Sequence, residues 1–174
     1  MRTYLLLAFC LLMFAACDSR PNKTVDWEIV LDFPNTVFEV GSNTLQKEIP
    51  MSAADFAKAN GMASERTAIQ EITLTSCELM IEGEGDFAPV ETTILQLSSK
   101  DAPMKQLAIG ENKEAGKSIA LKLAKDVNAT DYFYYSEKII AVLELDTNED
   151  KLTGTPCNVK VKMKFKFTSK ENTK

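Results

Sequence analysis

The side chains able to do chemistry are few in kind. No histidine occurs in the 174 residues, which excludes Ser-His-Asp and Cys-His nucleophilic catalysis, the commonest metal ligand and the usual general base near neutral pH. Carboxylate, thiol, phenol and ammonium remain. Asp146, Asn148 and Asp150 alternate as the first three ligands of a calcium loop do. Lys151, however, stands where that loop needs Gly, and Cys157 where it needs a bidentate Glu, so a solvated turn is the better reading. The other carboxylates are scattered, and neither a Gly-rich phosphate loop nor a paired-Cys metal spacing occurs. No catalytic residue, metal site or cofactor is assigned.

Two groups of side chains are candidates for binding. Tyr132-Phe133-Tyr134-Tyr135 is the densest aromatic run; in a strand, Tyr132 and Tyr134 would share one face, where amphipathic rings can stack on a sugar or a partner, and the other rings would be core, while the plainer role for the run is core or half-buried packing. Lys160, Lys162, Lys164 and Lys166 form a row that could meet lipid phosphate or an acidic partner. The plainer role for that row is a solvated strand face that resists unwanted pairing.

The elements that must carry these groups read as strands. Val25 to Phe33 alternates apolar and polar residues until Pro34-Asn35, and Cys157, Val159, Val161, Met163, Phe165 and Phe167 alternate with Asn158 and the lysines. Between them lie extended pieces at 37–40 and 45–51, then Ser52 to Gly61 as a two-turn helix capped by Ser52 and stopped by Gly61, with Phe56 against a sheet edge. Further strands follow at 68–82, with a bulge near Ser76 where the apolar parity flips, and at 90–98, 104–109, 118–123 and 139–145, with a single helical turn at 124–131. Seven to nine such strands with one short helix predict an all-β fold, a two-sheet immunoglobulin-like β-sandwich spanning residues 25–168. The acidic positions Asp26, Glu28 and Asp32 and the lysine row are complementary, which predicts that the first and last strands are neighbours in one sheet.

The amino-terminal segment fixes the setting. Arg2 precedes a nearly unbroken apolar run, and Phe14-Ala15-Ala16-Cys17 leads abruptly into polar Asp18 to Lys23. The run is short for a span, which needs about 20 residues, and reads as a secretory leader with a small-residue cleavage site. At these residues the chain resembles bacterial lipoproteins. The resemblance implies a signal peptide (residues 1–16) cleaved before Cys17, acylation of Cys17 by chains such as palmitate, a lipidated tether at 17–24, a β domain at 25–168, and a polar tail at 169–174. The strand around Ile72 to Ile81, Asp86-Phe87 and the alternating carboxyl end also resemble small uncharacterised β-sandwich lipoproteins of Gram-negative bacteria. That likeness implies a place in the bacterial cell envelope, at the outer membrane or on the periplasmic face.

Removing the leader leaves one domain's worth of chain with 19 basic and 25 acidic residues, a balance opposite to that of a nucleic-acid binder. Cys10 departs with the leader and Cys17 takes the lipid. Cys77 and Cys157 remain as either one disulfide, closing a loop of about 80 residues for roughly 4 kcal/mol, or two buried thiols. The expected function is therefore a non-enzymatic, lipid-anchored domain whose partners are the membrane, through Cys17, and an envelope protein or ligand. The alternatives are a carboxylate-based enzyme acting on glycans and a carrier holding an apolar ligand between the sheets.

Overall fold

The computed structural model describes residues 19–112, 116–136, 138–152 and 154–172. The leader, Cys17 and Asp18 lie outside the described residues. Nine strands and two short α-helices follow one another as β1 (Asn22–Thr36), β2 (Gly41–Glu48), α1 (Ala53–Ala59), β3 (Ile69–Glu82), β4 (Val90–Ser99), β5 (Lys105–Glu111), β6 (Ser118–Ala120), β7 (Lys122–Leu123), α2 (Thr130–Tyr135), β8 (Ile139–Thr147) and β9 (Cys157–Lys170) among the described residues. They form a two-sheet antiparallel β-sandwich, with β1-β9-β3-β6 in one sheet and β2-β8-β4-β5-β7 in the other.

β9 is the central fact of the first sheet, because both of its long neighbours pair antiparallel along nearly its whole length. Its inner face follows from strict alternation: Val159, Val161, Met163, Phe165 and Phe167 are all buried. Against β1 the register sets Trp27 opposite Phe165, Ile29 opposite Met163 and Leu31 opposite Val161. The same register places Asp26 opposite Lys166, Glu28 opposite Lys164 and Asp32 opposite Lys160 on the outer face. The first and last strands are thus neighbours, as their complementary charge rows require. In β3 the register shifts between Leu74 and Ser76, so that Thr75 is the extra residue that moves the apolar set from even to odd positions.

Helix α1 begins on Ser52, whose hydroxyl accepts from the Asp55 N–H at 3.1 Å, and ends at Asn60 before Gly61 at φ +65°. Phe56 lies on edge strand β1, its ring stacked on Trp27 with centroids 4.7 Å apart. Trp27 also meets Phe133 of α2 at 4.9 Å and Phe167 of β9 at 5.9 Å, so a single residue joins both helices to the sheet.

Several boundaries depart from the sequence-based expectation. β1 begins at Asn22, because Asn22 and Lys23 pair with Lys170 and Ser169, which takes the end of the tether into the sheet. For the same reason Ser169 and Lys170 are strand and not tail; Ser169 is buried and donates to the Ala63 carbonyl. Residues 37–40 are a crossing, not a strand. Asn43 holds both the N–H and the carbonyl of Glu39, Gly41 adopts φ +87°, and pairing with β8 starts only there. Residues 118–123 make an arch that changes sheets at buried Leu121, with β6 on β3 and β7 on β5. Gly110 permits that passage: a β-carbon there would lie 2.5 Å from Leu121 Cδ2.

Candidate functional site

Each residue singled out from the sequence has a definite place, and they do not form one surface. The aromatic run lies in helix α2, not in a strand; core and half-buried packing is what its described rings show, and Tyr132 is corrected as a candidate binding ring. Helical spacing turns Tyr132 and Phe133 both inward, where both are buried, and the Tyr132 hydroxyl donates to the Pro103 carbonyl. Burial raises the Tyr132 phenol above its ordinary pKa. Tyr134 is half-buried under the Arg66 guanidinium, 4.3 Å from its ring centroid.

The lysine row lies on the outer face of the first sheet between two acidic columns, from β1 and β3. Lys160 Nζ sits 2.8 Å from Glu82 and 3.4 Å from Asp32, and Lys162 and Lys164 share Glu28 at 3.1 and 3.8 Å. The hydrogen bond to Glu82, with Asp32 nearby, raises the Lys160 pKa. Lys166 stands opposite Asp26. Much of the row's charge is answered within the sheet, which weakens it as a phosphate-binding stripe.

Cys77 and Cys157 are free and buried, which corrects the disulfide alternative. Both do face the core, as parity requires, but they lie on adjacent strands out of register. Cys77 is opposite Met163, six positions along β9 from Cys157, which is about 20 Å at the rise of a strand and far beyond disulfide reach. Burial, helped by Glu78, pushes the Cys77 thiol up to about 12, and burial raises Cys157 as well. The thiolate is the reactive form. Folded protein at pH 8 is therefore expected to be inert to an aromatic disulfide reagent, with two thiols titrating once it is unfolded without reductant. A reading of zero thiols after unfolding would restore the bridge.

Sequence reasoning missed the clefts. One, of 290 Å³, opens at the end of the sandwich where β1, β3 and β8 turn, and is lined by Phe38, Glu84, Asp86, Pro89, Thr155 and Cys157. Phe87 fastens its wall: fully buried, it packs against Phe38 with ring centroids 6.3 Å apart and donates its N–H to the Gly116 carbonyl. The turn that carries the two carboxylates depends on Gly83 and Gly85, at φ +83° and +88°. The signal was the Gly-Glu-Gly-Asp sequence, visible only as a turn until Phe38 and Cys157 arrived beside it. A second hollow, of 200 Å³, contains Asp32, Glu82 and Lys160. There, both carboxylates are turned onto one ammonium, so neither is free to face a substrate. No group of three or more Cys, Asp or Glu side chains suited to a metal ion occurs among the described residues.

No family model and no curated protein matches the chain. Among solved structures it is similar to one from desmodium yellow mottle tymovirus, at 12% identity and TM-score 0.30 over 91% of this chain and 93% of that one. It is also similar to one from turnip yellow mosaic virus, at 13% identity and TM-score 0.35 over 91% and 87%. Likeness at this level bears on no residue of the site. No helix among the described residues is long and apolar enough to cross a membrane.

Proposed function

We propose that this chain is a lipid-anchored lipoprotein of the bacterial cell envelope, cleaved before Cys17, whose β-sandwich binds another envelope component without catalysing a reaction. The observation that carries the reading is the leader and its junction, an apolar run ending in Ala15-Ala16-Cys17 and passing at once into polar residues. Supporting it, the first strand starts at Asn22, so a folded domain follows the junction almost directly. Against the carrier alternative, the space between the sheets is filled by Phe165, Phe167, Met163, Leu95, Leu97 and Leu143, all essentially inaccessible. Against the glycan-acting enzyme, Asp32 and Glu82 converge on Lys160, and Glu84 and Asp86 project from a single exposed turn.

Expression of the full chain in a Gram-negative host with labelled palmitate tests the anchor. The mature protein is expected to start at Cys17 and to carry acyl mass on its first peptide, and Cys17→Ser should remove all label. A wild-type amino-terminal peptide with an unmodified Cys17 thiol would refute the reading.

A further inference from the structure

The edges of the two sheets are not alike among the described residues. On one side of the sandwich they are closed. There β6 and β7 are only three and two residues long, and the chain around them bonds onto β3 through Lys117, Leu121, Val127 and Ala129 and onto β5 through Ala124. On the other side β1 and β2 are both outermost. β1 is protected: its outward side chains include Asp26, Glu28 and Asp32, and Lys47 Nζ covers the Asp32 carbonyl. Charges so placed keep an edge from accepting another strand. β2 lacks that protection over most of its length. It pairs with β8 from Gly41 to Glu48 without a bulge, and its first six residues, Gly41 to Gln46, include neither a charged side chain nor a proline.

Ile49 donates its N–H to the Ile139 carbonyl of β8, so by alternation Ser42, Thr44, Gln46 and Glu48 turn their backbone groups to the open side. We propose that two copies of this chain join through that edge, β2 against β2 in antiparallel pairing about a two-fold axis, so that one sheet continues from domain to domain. The strand matches itself when Leu45 lies opposite Leu45. Ser42 then falls opposite Glu48 and Thr44 opposite Gln46, pairs that exchange about eight backbone hydrogen bonds, and Asn43 falls opposite Lys47. No like charges meet across the strand pair, and the acids behind it, Glu144 and Asp146, stand one strand back on β8. Leu45, the one apolar side chain of β2 and only partly buried, gains an apolar neighbour. The ends match as well. Val40, just before the strand, is 61% exposed, and Met51, just after it, is 43% exposed; the same register brings position 40 opposite position 50, beside Met51 of the second copy. A match at the centre and at both ends favours a second copy over an unrelated strand. The pairing goes beyond the function proposed above and holds whether or not Cys17 is acylated.

Cysteine cross-linking of the purified protein, expressed as the full chain and oxidised mildly with copper phenanthroline, provides the test. The native thiols at 77 and 157 are buried, and mass spectrometry of the linked peptides separates any link through Cys17 from the designed ones. Leu45→Cys is expected to form a disulfide-linked dimer several-fold more than Thr67→Cys, an exposed position away from β2. Ser42→Cys and Glu48→Cys are each expected to stay unlinked alone, since each lies about 20 Å from its own copy in this register, and to link to one another when mixed. Thr44→Pro removes an N–H turned to the open side and should abolish linking at Leu45→Cys, with an unfolding midpoint close to that of the parent. Thr44→Lys with Gln46→Lys, which sets lysines face to face across the two-fold axis, should abolish it as well. Linking at position 45 no greater than at 67, equal linking of Ser42→Cys alone and in the mixture, or a dimer in sedimentation that survives both edge variants would overturn the proposal.

Discussion

Replacing Trp27 with Ala is expected to destabilise the domain by about 3–5 kcal/mol, the range for removing a large aromatic side chain from a packed core. The ring is 3% exposed and contacts Phe56, Phe133, Phe165 and Phe167. Its loss leaves a cavity that cannot close by side-chain movement alone, because its neighbours belong to α1, α2 and β9. Both helices are short, seven and six residues, and helices of that length hold together through packing and not through propensity. Two effects should therefore appear together in denaturant unfolding: a lower midpoint, and earlier loss of amide protection in α1 and α2 than in β9. A Trp27→Ala protein within about 1 kcal/mol of the parent would mean that the cluster is not the keystone of that end.

Phe87→Ala is expected to cost a similar 3–5 kcal/mol and to act at the other end. Phe87 is fully buried beneath the Gly83–Asp86 turn, and its contact with Phe38 fixes the wall of the cleft. Cys157 lines the same cleft, and a β-carbon on Gly85 would sit 3.4 Å from its Cβ. Loosening the turn should therefore expose the Cys157 thiol. Folded Phe87→Ala protein is expected to react with a thiol reagent at Cys157 faster than the parent, while Cys77 stays protected in the sheet. Equal protection of both thiols in the variant would show that Phe87 does not seal the site. The two substitutions lie at opposite ends of the sandwich, so their costs should add to within about 0.5 kcal/mol.

Sequence alone determined those features that depend on local periodicity. The alternation in β9 assigned every residue from Cys157 to Phe167 to its correct face, since a strand's side chains point to opposite sides by geometry. Ser52 and Gly61 marked the ends of α1 for equally local reasons, an unsatisfied N–H to cap and a left-handed turn to make. The bulge at Thr75 was legible because one extra residue is the simplest way for a strand to change the parity of its apolar set and still bury the same face. The charge rows of β1 and β9 even indicated a long-range pairing, because two like-charged rows are relieved most simply by lying side by side.

The tertiary structure decided everything that turns on which residues arrive together from distant parts of the chain. Parity told that Cys77 and Cys157 both face inward, but only register told that six positions separate them along β9. Whether Tyr132 faced the surface or the core was left open, because an aromatic run fits a strand as well as a helix. The choice was made by Trp27 and Phe165, which offer Phe133 a place in the core that a helix alone could fill. The start of β2 was not legible, because an edge strand whose one apolar side chain, Leu45, is only partly buried carries no hydrophobic period to read; its pairing comes from the backbone of β8. The cleft was invisible for the same reason. It is assembled from loops far apart in sequence, and only the order in which the strands pair brings those loops to a common end.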